Sequence, residues 1–232
     1  MQQVWLAPGE GWDQLKGGLA PDIEGAFLTA AARRASRPGM IGFDTGCFTG
    51  WTASRVWDVF RENQGHFYCV DWFRGNEGSQ VRDFYWHELA EADPTKEAYP
   101  AAKVLLQLLK NIESCTALDV VSVIVAESWR PAELVADASV DYVYVGGDHR
   151  YSGIKRDLQA WVPKVRVGGV ICGHALSGWV KPESDYWKQL CEEPEQDYYH
   201  GAQCHFGVNR ALYETFQDQT ISICGTCWAK VI

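Results

Sequence analysis

The sequence predicts an α/β fold, a Rossmann-like, doubly wound and mostly parallel sheet with helices on both faces. Short apolar segments alternate along the chain with segments of helical periodicity, as in parallel strands joined by crossover helices. The strand-like segments are continuously apolar, which is typical of strands buried on both faces. The 232 residues contain no internal repeat and no long linker, and a chain of this length can bury one sizeable core.

The predicted elements of the first half follow from apolar periodicity and from breaker residues. Val56, Val59 and Phe60 have the i, i+3, i+4 spacing of a helix, and Pro38-Gly39 and Gly65 mark the ends of elements. The predicted elements are a helix at 19–36, a strand at 40–44, a helix at 49–63, a strand at 66–71, an irregular insert at 72–100 with a short helix near 81–92, and a helix at 101–113.

The second half continues the alternation of strands and helices. The segment DVVSVIVA at 119–126 is rich in β-branched residues, which favours a strand. The predicted elements after it are a helix at 131–138, a strand at 141–145, a helix at 152–162, a strand at 167–173, a helix at 186–193, and two closing strands at 205–216 and 220–229 that could pair as a hairpin.

A glycine-containing loop follows the first predicted strand. Ligands of open α/β sheets bind beyond the carboxyl ends of the strands, so residues there are the first candidates. The loop runs from Asp44 to Gly50 as DTGCFTG; its glycines permit a close backbone approach, and it opens a helix whose first amides are free donors. Asp71 ends the second strand, where a carboxylate can accept hydrogen bonds from ribose hydroxyls. A helix cap or a solvated surface acid is the alternative.

The later strands also end in polar and aromatic side chains. Trp129, after the third strand, could stack on a base or pack in the core. Asp148 and His149 follow the fourth strand; histidine titrates near neutral pH and is a natural proton acceptor, although Asp148 could instead cap the next helix. His174 follows the fifth strand and could face the same cleft as His149 or serve a structural role.

Taken together, these segments resemble the class I S-adenosylmethionine-dependent methyltransferases. The closest branch is the small O-methyltransferase-like group that includes the macrocin O-methyltransferase relatives, and the match spans about 38–215. Its most specific segment is GGDHRYSGIKRDLQAWVPKVRVGGVICGH, similar to the family's D-G-D-H-x-Y, R-D-L and G-H-D elements. GVNRAL, at 207–212, resembles a family element in the closing strands.

The resemblance implies an architecture and a set of site residues. The seven strands would have the order 3-2-1-4-5-7-6 with the last one antiparallel, residues 1–38 would form a helical cap over the cofactor cleft, and residues 39–232 the cofactor-binding domain. The residues implied in cofactor binding are Asp44, Gly46, Phe48, Thr49, Gly50, Asp71, Trp72, Glu127, Ser128 and Trp129. Those expected at the acceptor are Asp148 and His149, one as general base and the other orienting it, with Tyr151 and His174 contacting the substrate.

Two positions depart from the family pattern. The family usually has acids where this chain has Gly146 and Ala175, and in its metal-dependent members those acids are among the ligands of a divalent cation. Mg²⁺ requires oxygen ligands in near-octahedral geometry. We therefore expect S-adenosylmethionine as the cofactor, no metal, and O-methylation of a small-molecule hydroxyl group.

Two other functions compete with this prediction. The loss of the two acids also fits a catalytically altered or inactive protein that binds S-adenosylmethionine or a nucleotide. A dinucleotide-dependent oxidoreductase would share the glycine loop and the ribose acid, but its usual G-x-G-x-x-G pattern is absent from the sequence.

The cysteines and the aromatic insert leave alternatives open. Cys224, Cys227, Cys204 and His205 have the residue types of a zinc site, but alternation along one strand would put Cys224 and Cys227 on opposite faces, which favours structural thiols. The insert carries aromatic side chains that could form either a lid over a flat or sugar-like acceptor or a local core: Trp72, Phe73, Phe84, Tyr85 and Trp86.

Composition limits the class of partner. The net charge is −9, and no basic run exceeds two residues; because phosphate affinity comes from clustered Lys and Arg, neither a nucleic acid nor a membrane surface is expected. No apolar run approaches the roughly 20 residues that span a bilayer, and no secretory signal is recognised. The cysteines in apolar segments favour a reducing, cytoplasmic setting, and exposed aromatic side chains would favour a homodimer.

Overall fold

The computed structural model describes residues 20–75, 101–114, 117–176, 184–192, 195–196, 204–217 and 221–232. The helices in these parts of the chain are α1 (Ala20–Arg34), α2 (Ala53–Glu62), α3 (Ala101–Ser114), α4 (Tyr151–Trp161), α5 (Asp185–Leu190) and α6 (Phe206–Phe216). The strands are β1 (Ile41–Thr45), β2 (His66–Asp71), β3 (Val121–Val125), β4 (Val140–Val145), β5 (Val165–Gly173), β6 (Ser222–Cys224) and β7 (Cys227–Val231).

The seven strands form one sheet in the order β3-β2-β1-β4-β5-β7-β6. This order confirms the predicted α/β class and the predicted topology. The pairs from β3 to β5 are parallel, and β7 is antiparallel to both of its neighbours. Thr45 is in register with Val70 and Val145, so the loops that follow β1, β2 and β4 meet at one edge of the sheet.

Two hydrophobic layers cover the sheet. One layer contains apolar side chains of α1, α2 and α3, and the other contains those of α4 and α6. Side chains alternate along β4, so that Tyr142 and Tyr144 belong to the first layer while Val143 and Val145 belong to the second. This burial on both faces explains the continuously apolar strands of the sequence.

Residues 206–216 form the helix α6, and the prediction of a closing strand at 205–216 is therefore wrong. Val208, Ala211, Leu212 and Phe216 are buried against the second face of the sheet, and their spacing of three to four residues is that of a helix. A Cβ at Gly207 would lie 2.5 Å from the carbonyl oxygen of residue 149, so a larger residue would keep the start of α6 from this loop. The GVNRAL element thus lies in a helix.

The closing hairpin is formed by β6 and β7 alone. Its two-residue turn contains Gly225 with a φ of 59°, and Cys224 is in register with Cys227. Because the chain reverses direction between the two cysteines, they lie on the same side of the hairpin, and the prediction of opposite faces is wrong. Cys204 packs separately, in an apolar cluster with Leu190.

Several smaller differences concern the ends of elements. The predicted helix at 131–138 is a 3₁₀ turn at Arg130–Leu134. The helix α1 packs against α2 and against β5, β6 and β7. Residues 1–19 of the predicted cap and residues 76–100 of the aromatic insert, with the predicted helix near 81–92, lie outside the described residues. Across the described ranges, no helix is long and apolar enough to cross a membrane.

Candidate functional site

The loops after β1 and β4 touch at the carboxyl edge of the sheet. Gly46 has a φ of 92°, and a Cβ there would lie 2.4 Å from both Cα and N of Gly147. The amide of Gly146 donates to the carbonyl of Thr45 at 2.8 Å. Only glycine meets both the backbone conformation and the close approach at position 46. The loop glycine therefore fixes the distance between the two loops on which the predicted site residues lie.

Asp44 is a buried carboxylate without a compensating charge. It is 0% exposed, and neither of its carboxylate oxygens has a hydrogen-bond partner of good geometry. Burial and then the nearby Asp71 raise the pKa of Asp44 well above its ordinary value, while the Thr52 side chain offsets part of this increase. Buried polar atoms are rarely left unsatisfied, so this carboxylate fits a site that is completed by a cationic ligand.

Asp71 forms hydrogen bonds with the loops that follow β1 and β2. Its Oδ2 accepts a hydrogen bond from the amide of Phe48 at 2.9 Å, and its Oδ1 accepts one from the amide of Phe73 at 2.7 Å. Both phenylalanines have positive φ angles, 47° and 54°, which side chains rarely adopt and which concentrate at functional sites. Each carboxylate oxygen has two lone pairs, so Asp71 can accept further hydrogen bonds from a ligand.

Other residues of the glycine loop are tied to α3. The carbonyl of Thr49 accepts a hydrogen bond from Asn111 Nδ2 at 2.8 Å. Gly50 has a φ of 84°, and a Cβ there would meet Leu108 at 2.5 Å. Trp72, which directly follows Asp71, is 37% exposed. Among the predicted loop residues, Phe48 forms a hydrogen bond with Asp71 through its amide. Thr49 and Gly50 instead contact α3.

The segment after β3 is held by α4. Ser128 donates from Oγ to Asp157 Oδ1 at 2.7 Å, and its carbonyl accepts from Trp161 Nε1 at 2.9 Å. Burial is the main reason that the pKa of Asp157 is raised to about 7. Asp157 is the acid of the R-D-L element, but the sequence did not predict its contact with Ser128, because that contact depends on the packing of α4 against this segment.

Arginine side chains lie against the ring of Trp129. The guanidinium carbons of Arg130 and Arg156 are 4.5 and 5.5 Å from the centre of the ring. Glu127 accepts a hydrogen bond from Arg130 Nε at 3.1 Å. These contacts hold the ring of Trp129 in place after β3.

Asp148, a predicted catalytic residue, is held by Arg150. The Arg150 Nη2 donates to Oδ2 at 2.6 Å and its Nε to Oδ1 at 2.9 Å, and its backbone amide also donates to Oδ1 at 3.0 Å. The Asp148 side chain is 14% exposed. Both carboxylate oxygens of Asp148 are therefore occupied, and its side chain is fixed in one orientation.

Tyr151, a predicted substrate contact, belongs to an ionic network between α4 and α6. Its hydroxyl donates to Glu214 Oε2 at 2.6 Å, and Lys155 and Arg210 bind the same carboxylate at 2.9 Å. Although burial raises the pKa of Glu214, these hydrogen bonds lower it to about 2. The Tyr151 hydroxyl is thus already engaged within the protein.

Three half-buried histidines meet beyond β4 and β5. The ring of His149 lies between those of His174 and His205, with ring centres 4.7 and 4.8 Å apart in edge-to-face orientations. The hydroxyl oxygen of Tyr144 is 2.8 Å from Nδ1 of His174. The sequence predicted that His149 and His174 would lie at the acceptor site. It did not identify Tyr144, and it placed His205 in a closing strand or at a zinc site. No sequence signal brings residue 205 to residue 149, since only the docking of α6 does so.

The two departures from the family acids have structural counterparts. A Cβ at Gly146 would lie 2.7 Å from Cε1 of Tyr144 and 3.4 Å from Cε1 of His174, so the tyrosine ring occupies the space of a side chain at 146. Ala175 is buried and has a φ of 64°. Neither position offers an oxygen ligand, and the described parts of the chain contain no group of three His, Cys, Asp or Glu residues that could hold a metal. Positions 146 and 175 therefore add no side-chain ligand for a divalent cation.

Comparison with known proteins agrees with this geometry. A family model described as a methyltransferase domain matches residues 43–175, which is more than half of the chain. The described fold is similar to that of a protein from Corynebacterium glutamicum, at 11% identity over 90% of this chain and 80% of that one, with a TM-score of 0.56.

Two further solved structures have the same fold. The O-methyltransferase NovP is 14% identical over 90% of this chain and 78% of that one, with a TM-score of 0.53. A Methanococcus maripaludis protein assigned as an S-adenosyl-L-methionine-dependent methyltransferase is 12% identical over 95% of this chain and 89% of that one, with a TM-score of 0.52. At these identities the similarity concerns the fold alone.

Proposed function

This chain belongs to the methyltransferase-domain family, and from that premise we propose that it methylates a hydroxyl group of a small molecule without a divalent cation. S-adenosylmethionine is the methyl donor that the family implies. The hydroxyl acceptor rests on the acids and imidazoles around the ends of β4 and β5, and it accords with the O-methyltransferase activity named for NovP.

The observation that carries the proposal is the buried, uncompensated carboxylate of Asp44. S-adenosylmethionine carries an ammonium group and a sulfonium, and a cationic group beside Asp44 would supply the missing charge partner. Asp71, the last residue of the neighbouring strand β2, has lone pairs left for ribose hydroxyls. Both acids lie at the carboxyl edge of the sheet, where ligands of this architecture bind.

The proposed chemistry divides between cofactor and protein. When bound, S-adenosylmethionine supplies a methyl group that is already activated by the sulfonium, so the chain has to orient the acceptor and remove its proton. His149 is the better of the two predicted bases, because Arg150 already occupies both carboxylate oxygens of Asp148. Asp148 then serves to fix the loop that carries His149.

Metal independence is proposed from the residues at positions 146 and 175. Glycine and alanine supply no oxygen ligand there, and the ring of Tyr144 fills the space beside residue 146. We therefore expect EDTA to change neither the binding of the cofactor nor the rate of methyl transfer.

Isothermal titration with S-adenosylmethionine and S-adenosylhomocysteine, with and without EDTA, tests the proposal. We expect binding of both ligands that is insensitive to EDTA. Asp44→Asn should weaken binding about tenfold or more, because a charge-assisted contact is worth about 1.5–3 kcal/mol. Asp185→Asn is the matched control, since the Asp185 side chain is 98% exposed. Absence of binding to the wild-type protein would refute the proposed function, and loss of binding in EDTA would refute metal independence.

The missing acids also favour a second candidate, a cofactor-binding protein with altered or absent transferase activity. A screen of hydroxyl acceptors with radiolabelled S-adenosylmethionine separates the two functions. Labelled product supports the enzyme, whereas tight cofactor binding with no transfer to any acceptor supports the second candidate.

A further inference from the structure

We propose that the acceptor of this protein is a phenol-type hydroxyl group, and that its proton is taken by His149 within an imidazole cluster formed by His149, His174 and His205 and braced by Tyr144. This inference rests on the proposed function and names its substrate class. It also assigns roles to Tyr144 and His205, which the sequence did not identify.

The cluster is assembled from three separate parts of the chain. His149 follows β4, His174 follows β5, and His205 directly precedes α6. His149 is the central ring and contacts both of the others at 4.7 and 4.8 Å. All three histidines are half-buried, so they remain within reach of a ligand at the carboxyl edge of the sheet while being partly shielded from water.

Tyr144 fixes one end of the cluster. Burial raises the pKa of Tyr144 well above its ordinary value, so the phenol keeps its proton. Its hydroxyl oxygen forms a hydrogen bond of 2.8 Å with Nδ1 of His174. The two rings are parallel within 1°, which holds His174 in one orientation against His149. Tyr144 and His174 are therefore positioning residues, and His149 is left as the proton acceptor.

The charged groups around the cluster are largely compensated in pairs. Asp148 is bound by Arg150, and Glu214 is bound by Lys155 and Arg210. Two imidazolium rings in contact would repel each other. A proton arriving from the acceptor thus places a single positive charge on His149.

The transfer of the acceptor proton to an imidazole favours an acidic acceptor hydroxyl group. In the transfer, the acceptor oxygen forms the new bond to the methyl carbon, the bond from that carbon to sulfur breaks, and the acceptor proton moves to His149. The imidazolium then carries the positive charge that sulfur loses. As free compounds, an imidazole has a pKa of about 6.5 and a phenol one of about 10, so proton transfer from a phenol to an imidazole is only modestly unfavourable. A sugar alcohol is much less acidic, and neither Gly146 nor Ala175 has a side chain that could hold a cation to acidify it.

A chromogenic phenol tests the inference without requiring turnover. 4-Nitrophenol is titrated into the complex with S-adenosylhomocysteine at a pH below its own pKa, and the phenolate absorbance is recorded. We expect the wild-type protein to increase the ionised fraction of the bound phenol. His149→Gln should abolish the increase, and Tyr144→Phe should reduce it about tenfold through loss of one hydrogen bond to the charged cluster.

Matched variants distinguish the cluster from general effects of substitution. His66→Gln removes a half-buried histidine of β2 whose Nε2 lies 2.8 Å from Oγ of Ser122. Tyr142→Phe removes a buried phenol two residues before Tyr144 on the same face of the sheet. Both should retain the phenolate signal. His205→Gln is a second cluster variant in case His149→Gln fails to fold, and binding of S-adenosylhomocysteine reports the folded state of every variant.

The outcomes separate this inference from the proposed function. A wild-type protein that binds S-adenosylhomocysteine but leaves 4-nitrophenol un-ionised overturns the inference alone, as does an unchanged signal in both His149→Gln and His205→Gln. Faster labelling of methyl glucoside than of a phenol by radiolabelled S-adenosylmethionine also overturns it. Failure of the wild-type protein to bind S-adenosylhomocysteine overturns the proposed function itself.

Discussion

The hydroxyl oxygen of Tyr144 lies 2.8 Å from Nδ1 of His174, and the planes of the two rings differ by 1°. This pair takes the place that a side chain at position 146 would need, because a Cβ on Gly146 would come within 2.7 Å of the tyrosine ring. A side chain at position 146 and the tyrosine–histidine pair would therefore compete for the same space.

Gly146→Ala should destabilise the protein by about 1–3 kcal/mol, the usual cost of overpacking a buried site. The new methyl group would displace the Tyr144 ring, so the ring signals of His174 should shift in the NMR spectrum. Gly147→Ala is the control, since a Cβ there makes only ordinary contacts at 3.5 Å or more. Urea unfolding of both variants measures the difference, and equal stability would contradict the packing described here.

Asp157 should make stability depend on pH. Its pKa is about 7 in the folded protein, mainly because of burial, and near 3.8 when exposed. Between about pH 4 and pH 7 the folded state holds a proton that the unfolded chain has lost, so the free energy of unfolding falls as the pH rises through this range. Asp157→Asn should remove about 2–3 kcal/mol of the decrease between pH 5 and pH 8.

Urea unfolding of Asp157→Asn at the two pH values, with the exposed Asp185→Asn as control, measures this effect. The control should keep the pH dependence of the wild type. A variant of Asp157 with that same dependence would show that its carboxyl group titrates alike in the folded and unfolded chain.

Replacement of the buried acid Asp141 should lower the free energy of unfolding substantially. Asp141 is 0% exposed, its Oδ1 accepts hydrogen bonds from Arg37 and Arg166 at 2.5 Å, and its Oδ2 accepts one from the amide of Ile41 at 2.8 Å. Asp141→Asn leaves both guanidinium groups without their carboxylate. Because the Arg37 side chain is 48% exposed, we expect a loss of about 2–3 kcal/mol, less than the roughly 3–5 kcal/mol for one partner of a fully buried pair.

The control for Asp141 is Asp137→Asn. Asp137 pairs with Lys164 but is 73% exposed, so its replacement should cost less than about 1 kcal/mol. The free energies of unfolding in urea decide the matter, and similar losses in the two variants would argue against a buried ionic anchor at Asp141.

The hairpin register predicts that Cys224 and Cys227 can be cross-linked. Residues directly opposite across an antiparallel pair have Cα atoms about 4.5–5.5 Å apart, which lies inside the range of a disulfide. Treatment of the folded protein with oxidised glutathione should yield a disulfide between these two residues, detected by mass spectrometry of proteolytic fragments. Cys227→Ser should abolish it and Cys172→Ser should not; failure of the wild type to cross-link would speak against this register.

The sequence by itself determined the class of the fold and the edge of the sheet that carries the site. Continuous apolar strands and helical periodicity are local properties, and they located β1, β2 and β4 within one or two residues. Asp44 and Asp71 were found because each lies at the carboxyl end of a predicted strand, and the parallel topology brings such positions to one edge.

Tertiary packing decided what local pattern could not. The segment at 205–216 contains residues that suit a strand or a helix, and the docking of α6 on α4 selected the helix and carried His205 to His149. The same docking engaged Tyr151 with Glu214. Cys224 and Cys227 came to one side because a two-residue turn reverses the chain between them, and Tyr144 met His174 because neighbouring strands are in register. Each of these outcomes depends on burial and hydrogen bonding between different segments of the chain. The periodicity of a single segment carries no information about such contacts.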